Sequence, residues 1–537
     1  MVRRMEKFYS ELWWDLAWTK FTNNLYRLQR RVYAAIRAKD FKKAKNLQKL
    51  ILKSRGARFL AIRQVTQLNK GKKTAGIDGK NALTFKERFQ LESFLKLNAM
   101  NWKHQGLREI PIPKKDGNTR LLKVPTISDR AWQCLAKYAL EPAHEAQFHA
   151  RSYGFRPGRS TQDAQKIVFS NLRSCSNGKD KRVLELDISK CFDRISHKSI
   201  MERLICPNNL KIGIFRCLKS GTNINFPEQG TPQGGVVSPL LANIALNGIE
   251  RIGEFKRNGK DNPICVRYAD DMIFFLKPQD NANELLILVK EFLAKRGMEI
   301  SEKKTKLTRA TDGFNFLGWH FKVQNNGKFR STPSEDNFKT FRKKVKDIVN
   351  SSNLKLELKV DKLSRIIRGW RQYHKYCKMD GSRLSLWHMN HRTFKVFNKG
   401  KNTNKHKAIE LIKTAFPAVP YSENKFVNVK GDKSPFDGDL VYWAKRKNRQ
   451  YDGMTAKLLK EQDFECGRCG LKFISEQKIH LHHKDGNHNN WKVSNLVALH
   501  ESCHDHQHHE QGYKCLEIRE RSAEKSARCD LTERGDG

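Results

Sequence analysis

The chain is short of acid. Against 104 lysines and arginines it carries only 56 aspartates and glutamates, a net charge of +48. The basic residues run along nearly the whole length. Such a field condenses on phosphates, with strongly salt-dependent binding. No apolar run is long enough to cross a bilayer, so no membrane partner is expected. The start, Met1-Val2-Arg3-Arg4, leads into amphipathic sequence without the apolar core of a secretion signal. The twelve cysteines are therefore expected as reduced thiols and metal ligands, not as a disulfide framework. An intracellular location follows as an expectation: a bacterial cytoplasm, or an organelle matrix or stroma, a plastid included. Internal repeats are also absent, so 537 residues must be shared among several distinct domains. Disorder is excluded by what is present, because 38% of the residues are hydrophobic and thirty are phenylalanine.

From Leu12 to about Gln67 the spacing predicts helix, with Trp13, Leu16, Ala17, Phe21, Leu25 and Leu28 on one stripe. Its other face is basic (Arg27, Arg30, Arg31, Lys42, Lys43, Lys45), either solvated or a nucleic-acid contact. Mixed α/β sequence runs on to about Phe321, and an α-rich segment follows Pro333. Residues 424–450 read as a polar connector, and 455–515 form a histidine-rich unit before a polar tail. The expected segments are a basic helical extension (1–70), a mixed α/β region (71–330), a helical region (331–420), a connector (421–454), a metal-rich module (455–515) and a tail (516–537).

The most telling stretch is Cys265-Val266-Arg267-Tyr268-Ala269-Asp270-Asp271-Met272-Ile273-Phe274-Phe275. Two acids sit between β-prone runs, which predicts a hairpin with carboxylates at its tip. A further strand-like run, Val183-Leu184-Glu185-Leu186-Asp187, ends on another acid. Carboxylates at strand ends suit a pair of Mg²⁺ ions, which at about 4 Å separation activate an attacking hydroxyl and stabilise the leaving oxygen. Phe192, five residues after Asp187, is either a core residue or a wall against the 2′-hydroxyl of an incoming nucleotide. In Gly230-Thr231-Pro232-Gln233-Gly234-Gly235, glycines allow close backbone approach and Gln233 can bond to a base pair or phosphate. The basic turn Ile112–Arg120 would aim Lys114 and Arg120 at a triphosphate, a solvated hairpin being the simpler alternative. Ser152-Tyr153-Gly154-Phe155-Arg156-Pro157-Gly158-Arg159-Ser160 suggests Arg156 as a template-backbone contact.

In their order along the chain these blocks resemble the reverse transcriptases encoded by mobile group II introns. Ala75-Gly76-Ile77-Asp78-Gly79 resembles the extra N-terminal segment of that family. Gly297-Met298-Glu299-Ile300-Ser301-Glu302-Lys303-Lys304-Thr305 and Phe316-Leu317-Gly318-Trp319 resemble its late palm motifs, and Leu363–Tyr373 the signature of its maturase, or thumb, domain. The resemblance implies a right-hand polymerase of multidomain α+β class, with fingers and palm over 71–330, a thumb/maturase domain over 331–420 and a DNA-binding connector over 421–454. It implies Asp187, Asp270 and Asp271 as Mg²⁺ ligands, Phe192 as sugar gate, Gln233 as template or nucleotide contact, and Lys304 among the nucleotide-binding residues.

The terminal unit carries Cys466-Gly467-Arg468-Cys469, then His480-Leu481-His482-His483, Asn495, His500, Cys503, His504 and His508. A Cys-x-x-Cys knuckle is half of a zinc site, and Cys503 with His500 would complete a tetrahedron. A plain two-knuckle site would have cysteine at position 500. A structural zinc ribbon accounts for the cysteines but leaves His482, His483, Asn495 and His504 without a role. Those residues resemble the HNH nucleases, a ββα module round one divalent ion. By that likeness His483 is the general base, His482, His504 and His508 hold the ion, and Asn495 braces the loop. His508 stands one turn beyond His504, so both can face one ion.

The expected function is thus an intron-encoded polymerase, maturase and endonuclease. Its partners would be its own intron RNA, target duplex DNA and deoxynucleoside triphosphates. Two rivals are an RNA-binding maturase with vestigial enzyme centres, and a defence or retron-type reverse transcriptase. The intact acids and His483 speak against the first. The 363–373 segment and the terminal module speak against the second.

Overall fold

The computed structural model describes residues 2–510 except 114–116, 118, 222–226, 255–261, 400–403, 449–450, 452, 474–478 and 488–489. Lys114, the tail and the last residues of the histidine-rich unit therefore lie outside the described residues. The chain divides into two units. One is built from Met1–Gln147, Ile200–Ile244 and Ser434–Gly537, the other from Phe148–Ser199 and Ala245–Lys433. The segment expected as fingers and palm contributes to both, and the expected connector is divided between them.

In the first unit the N-terminal helical stripe is interrupted. Helices span Val2–Trp14 and Trp18–Arg37, because the Trp18 indole donates to the Trp13 carbonyl (3.1 Å) and the two rings pack 4.9 Å apart. The next two, Phe41–Lys53 and Arg55–Arg63, are started by side-chain caps: Asp40 accepts from the Lys43 amide and Ser54 from the Ala57 amide. Trp13, Trp18, Phe21, Phe59 and Phe89 close an aromatic core between them and helix Phe85–Asn98, which opens on a Thr84–Glu87 capping box. A largely exposed hairpin follows, β1 (Arg108–Pro113) antiparallel to β2 (Thr119–Val124). The Lys123 amide in β2 donates to the Gln233 carbonyl, which fastens the glycine-rich loop to the hairpin. Gly234 there has φ +127°, and a Cβ on it would lie 2.7 Å from the Lys123 carbonyl, so only glycine fits.

The second unit holds the sheet that the acid-tipped hairpin belongs to. Its strands are β3 (Arg182–Leu186), β5 (Ile264–Tyr268), β6 (Asp271–Leu276) and β8 (Lys306–Arg309), in the order β5-β6-β3-β8 and antiparallel throughout. A short side pair joins β4 (Ile188–Ser189) to β7 (Glu299–Ile300). Val183, Cys265, Val266, Ile273 and Phe274 are buried, so the sheet is fastened by apolar burial, while its acids stand at the strand ends. A second sheet orders β11 (Phe329–Pro333), β10 (Trp319–Val323) and β9 (Phe314–Phe316). The α-rich segment expected after Pro333 begins with helix Glu335–Asn350 and continues with Leu356–Tyr373, Asp380–Asn398 and Lys405–Ala415. Leu363 and Ile367 are fully buried, Trp370 stacks on Phe341 (4.4 Å), and Tyr373 stacks on Trp319 (4.6 Å) while donating to the Leu317 carbonyl. The motif at 363–373 therefore packs on the motif at 316–319. Among the described residues no helix is long and apolar enough to cross a membrane.

Within the divided connector, helix Leu440–Asn448 packs in the first unit, where the Tyr26 hydroxyl donates to the Pro435 carbonyl. Beyond it come helix Gly453–Glu461, a hairpin of β12 (Ile479–His483) with β13 (Leu496–His500), and helix Glu501–Glu510.

Candidate metal centres

In the second unit the register pairs Leu186 with Met272 and Tyr268 with Asp271. One residue beyond Leu186, Asp187 therefore comes opposite Asp271, with Asp270 in the turn. Asp271 is exposed as a residue, yet burial, with the like charges of Asp270 and Asp187, pushes its carboxyl up to about 6. Lys304 opposes that shift and lies 3.1 Å from Asp187 Oδ2, its side chain remaining largely exposed. Three oxygen donors crowded until one resists ionisation are a chemical fit to a hard divalent cation.

Beside them, Lys190 in left-handed backbone (φ 46°) turns the chain into the short helix Cys191–Arg194, which carries Phe192. Phe192 is half-buried and meets the exposed Phe155 ring edge-on at 6.4 Å. Arg156 differs from expectation. It is 5% exposed, and its guanidinium donates to the His149 and Ser152 carbonyls (2.7 and 2.9 Å), holding its own segment instead of facing outward. Arg120 and Gln233 belong to the first unit, where their side chains bond to each other.

The first unit also contains both cysteine and histidine sets. Ligand atoms of Cys466, Cys469, His500 and Cys503 lie within 4.8 Å of one another, as do those of His482, His504 and His508. The first set is assembled from a knuckle, closed by Gly470 N to Cys466 O, and from the β13-to-helix junction that supplies His500 and Cys503. Cys469 Sγ is 3.4 Å from His500 Nδ1, and the His500 amide donates to Cys466 Sγ. Hydrogen bonds with Cys469 and Cys503 hold the Cys466 thiol far below its ordinary value, and those with Cys466 and Cys469 hold Cys503 above it. Burial draws His500 down, but Cys466 and Cys469 more than reverse this, leaving it at about 9. Three thiols and an imidazole converging on one point are the soft donor set that a zinc ion binds after displacing protons.

In the second set His504 Nε2 and His508 Nε2 are 3.1 Å apart, and the His482 ring lies 5.1 Å from that of His508. An all-imidazole set suits a transition-metal ion better than Mg²⁺. Alternation along β12 turns the next residue, His483, to the opposite face, where it meets the Trp491 ring at 5.0 Å. Asn495 laces the loop after His483: its Nδ2 donates to Asp485 Oδ1 (2.8 Å) and the Asn490 carbonyl, and its Oδ1 accepts the Asp485 amide.

Two contacts escaped the sequence reading. Thr19 Oγ1 is 3.4 Å from Cys503 Sγ, and Arg63, packed over the Trp18 ring, pairs with Asp505 at 3.5 Å. The N-terminal helices thus touch the helix that supplies ligands to both sets. Nothing in the local pattern of Arg63 signals a partner 442 residues away.

Comparison with known proteins agrees with this layout. The model for the N-terminal domain of reverse transcriptase matches residues 13–95. That for reverse transcriptase (RNA-dependent DNA polymerase) matches 112–321, and that for the group II intron maturase-specific domain matches 338–410. Maturase-like protein 1 of Euglena gracilis is 38% identical over 413 residues, 76% of this chain and 88% of that protein. Protein YkfC of Escherichia coli (strain K12) is 30% identical over 299 residues, 48% of this chain and 77% of that protein. Group II intron-encoded protein LtrA of Lactococcus lactis subsp. cremoris is 29% identical over 334 residues, 49% of this chain and 54% of that protein. With all three family segments present in order, and a relative matched over most of its length, the chain belongs to the group II intron reverse transcriptase/maturase family.

Proposed function

We propose that the chain is a multifunctional intron-encoded protein: an RNA-directed DNA polymerase, a splicing maturase for its intron RNA, and an HNH endonuclease that nicks target DNA to prime reverse transcription. The observation that carries the polymerase reading is the register that sets Asp187 against the Asp270–Asp271 turn at the end of a buried sheet. Bound there, a pair of Mg²⁺ ions would activate the primer 3′-hydroxyl and stabilise the leaving pyrophosphate. Asp187, Asp270 and Asp271 would hold the pair, and Lys304 would guard the Asp187 carboxylate until the metals arrive. Gln233, Arg120 and Lys114 would contact template or triphosphate, Arg120 by exchanging its bond to Gln233 for a phosphate oxygen.

For the nuclease, the supporting observation is that strand alternation separates His483 from His482. His482, His504 and His508 would hold a divalent ion that stabilises the leaving oxyanion, while a ring nitrogen of His483 takes the proton from the attacking water. Cys466, Cys469, His500 and Cys503 would hold a structural zinc. The exposed basic faces of the N-terminal helices, with Lys445 and Lys447 of the connector, supply charge for RNA and DNA backbones.

The test is reconstitution of purified chain with a group II intron RNA, target duplex, Mg²⁺ and deoxynucleotides. The expected product is cDNA covalently joined to the nicked strand. Extension on a pre-nicked duplex but never on an intact one would remove the endonuclease and leave the polymerase.

Phe192 allows a narrower check. Phe192→Val should lower discrimination against ribonucleotides by roughly ten- to two-hundredfold, the range one displaced side-chain contact gives, with little loss of deoxynucleotide use. Unchanged selectivity in a primer-extension competition would leave Phe192 as a packing residue beside Phe155.

A further inference from the structure

Directly behind the acid-tipped turn lies a charge that a sheet interior should not contain. Arg267 occupies β5 between apolar neighbours, and its side chain and that of Glu250 are both 0% exposed. Buried ion pairs are poor stabilisers, since well-packed apolar residues of similar volume often do as well or better. The pair therefore calls for another explanation, and its geometry supplies one. Each nitrogen of the guanidinium has a different partner: Nε donates to Glu250 Oε1 (2.6 Å), one terminal nitrogen to Ser152 Oγ (2.8 Å), and the other to the Ala269 carbonyl (2.9 Å).

Ala269 is the residue under constraint. It is the first of the two residues that link Tyr268 to Asp271, and its φ is +59°, a backbone conformation in which glycine is the usual occupant. Nothing local to alanine favours that state, so the surroundings must impose it. The segment Ser152–Gly154 runs alongside as a floor. The Tyr153 amide donates to the Arg267 carbonyl (2.9 Å) and the Arg267 amide to the Arg151 carbonyl (3.0 Å). A Cβ on Gly154 would collide with the Ala269 nitrogen and lie 2.9 Å from the Tyr268 carbonyl carbon. The floor limits where the turn can go, and the guanidinium grips the carbonyl immediately before Asp270.

We propose that Arg267 is a positioning residue for the metal-binding acids. It holds the strained Ala269 peptide, and with it Asp270 and Asp271, in ligand geometry, while Glu250 and Ser152 orient its guanidinium. The proposal rests on the polymerase reading of those acids. Lysine cannot replace the arginine, because one ammonium group does not span three acceptors in the plane of a fork.

The test uses the full chain carrying the double substitution Arg267→Met with Glu250→Met, which removes both buried charges together. Arg267→Lys and Ser152→Ala serve as second and third variants in case the double variant does not fold. Thermal unfolding reports the fold, and Mn²⁺ binding followed by electron paramagnetic resonance reports ligand geometry without any turnover. RNA-templated primer extension, with kcat, nucleotide KM and the Mg²⁺ midpoint measured separately, reports chemistry. A folded variant is expected to bind Mn²⁺ more weakly and lose kcat, each by about ten- to a hundredfold, with nucleotide KM nearly unchanged. Ser152→Ala should shift the same quantities less. Wild-type Mn²⁺ affinity and kcat in a folded double variant, or in folded Arg267→Lys, would overturn the proposal and reduce the pair to packing. Failure of the polymerase reading looks different: the wild-type chain would show no templated synthesis, or Asp271→Asn would not diminish it.

Discussion

Asp270→Ala and Asp271→Ala variants of the full chain should extend a DNA primer on an RNA template at less than about a thousandth of the wild-type rate. The reasoning is direct. Each substitution deletes an oxygen ligand from a three-carboxylate site, and a metal pair contributes several kcal/mol of charge stabilisation to the transition state. At about 1.4 kcal/mol per tenfold, a loss of ~4 kcal/mol is a thousandfold. The fold should survive, because both acids stand at the rim of the sheet while Met272 to Leu276 and Val183 to Leu186 carry its buried apolar surface. Removing Asp271 also relieves the burial of its carboxyl and the like charges of Asp270 and Asp187, which together push it up to about 6. Unfolding temperature should therefore stay level or rise while activity disappears. Splicing of the intron RNA should persist in the same preparations, since it draws on basic and helical binding surface. The measurement is Mg²⁺-dependent primer extension beside a splicing assay on one protein sample. Robust extension by both variants would remove these acids from the chemistry.

The second large effect separates the two clusters of the C-terminal module. Cys466→Ser or Cys469→Ser should abolish zinc binding and unfold the module cooperatively. Its core is small: Leu458, Leu459, Phe473, Leu496, Ala498 and Leu499 pack round two of the cysteines themselves. A module of that size takes most of its folding free energy from its metal, on the order of 10 kcal/mol or more for structural zinc. Loss of the ion should also be felt at the N-terminal helices, because Cys503 and Asp505 of the same helix touch Thr19 and Arg63. Protease resistance of residues 18–63 is expected to fall with zinc content. His483→Ala should behave in the opposite way, keeping stoichiometric zinc, fold and reverse transcription while DNA nicking stops. The decisive comparison is zinc content by atomic absorption against nicking of a supercoiled or duplex target, both on the same purified variants. Zinc lost with His483, or nicking retained without it, would mean that a structural residue has been taken for the base.

Much of this was legible from residue order because it depends on short range. A Cys-x-x-Cys knuckle brings Cys466 and Cys469 together within one turn, and i to i+4 spacing does the same for His504 and His508. Once the structure places both in β12, period-two alternation sets His482 and His483 on opposite faces. The run of apolar residues on either side of Asp270-Asp271 likewise implies a hairpin with acid at its tip. Leu363, Ile366, Ile367, Trp370 and Tyr373 fall at the helical spacing of one buried face; Leu363 and Ile367 are buried, Trp370 stacks on Phe341 and Tyr373 on Trp319.

What residue order left open depends on pairing across long stretches of chain, where no local period specifies the partner. The strand order β5-β6-β3-β8 puts Asp187 opposite a turn more than eighty residues away, an arrangement set by which apolar faces bury each other. Burial also decided against an outward Arg156: a guanidinium enclosed by the His149 and Ser152 carbonyls is already satisfied. Arg63 with Asp505, and Arg267 with Glu250, Ser152 and Ala269, follow the same logic. A buried charge must find hydrogen-bonding partners wherever the fold brings them, and those partners are distant in sequence. Composition therefore implied a polyanionic partner, and the resemblance of the ordered motif blocks implied a reverse transcriptase relative. The long-range burial of polar groups chose which arginines face inward and what they hold in place.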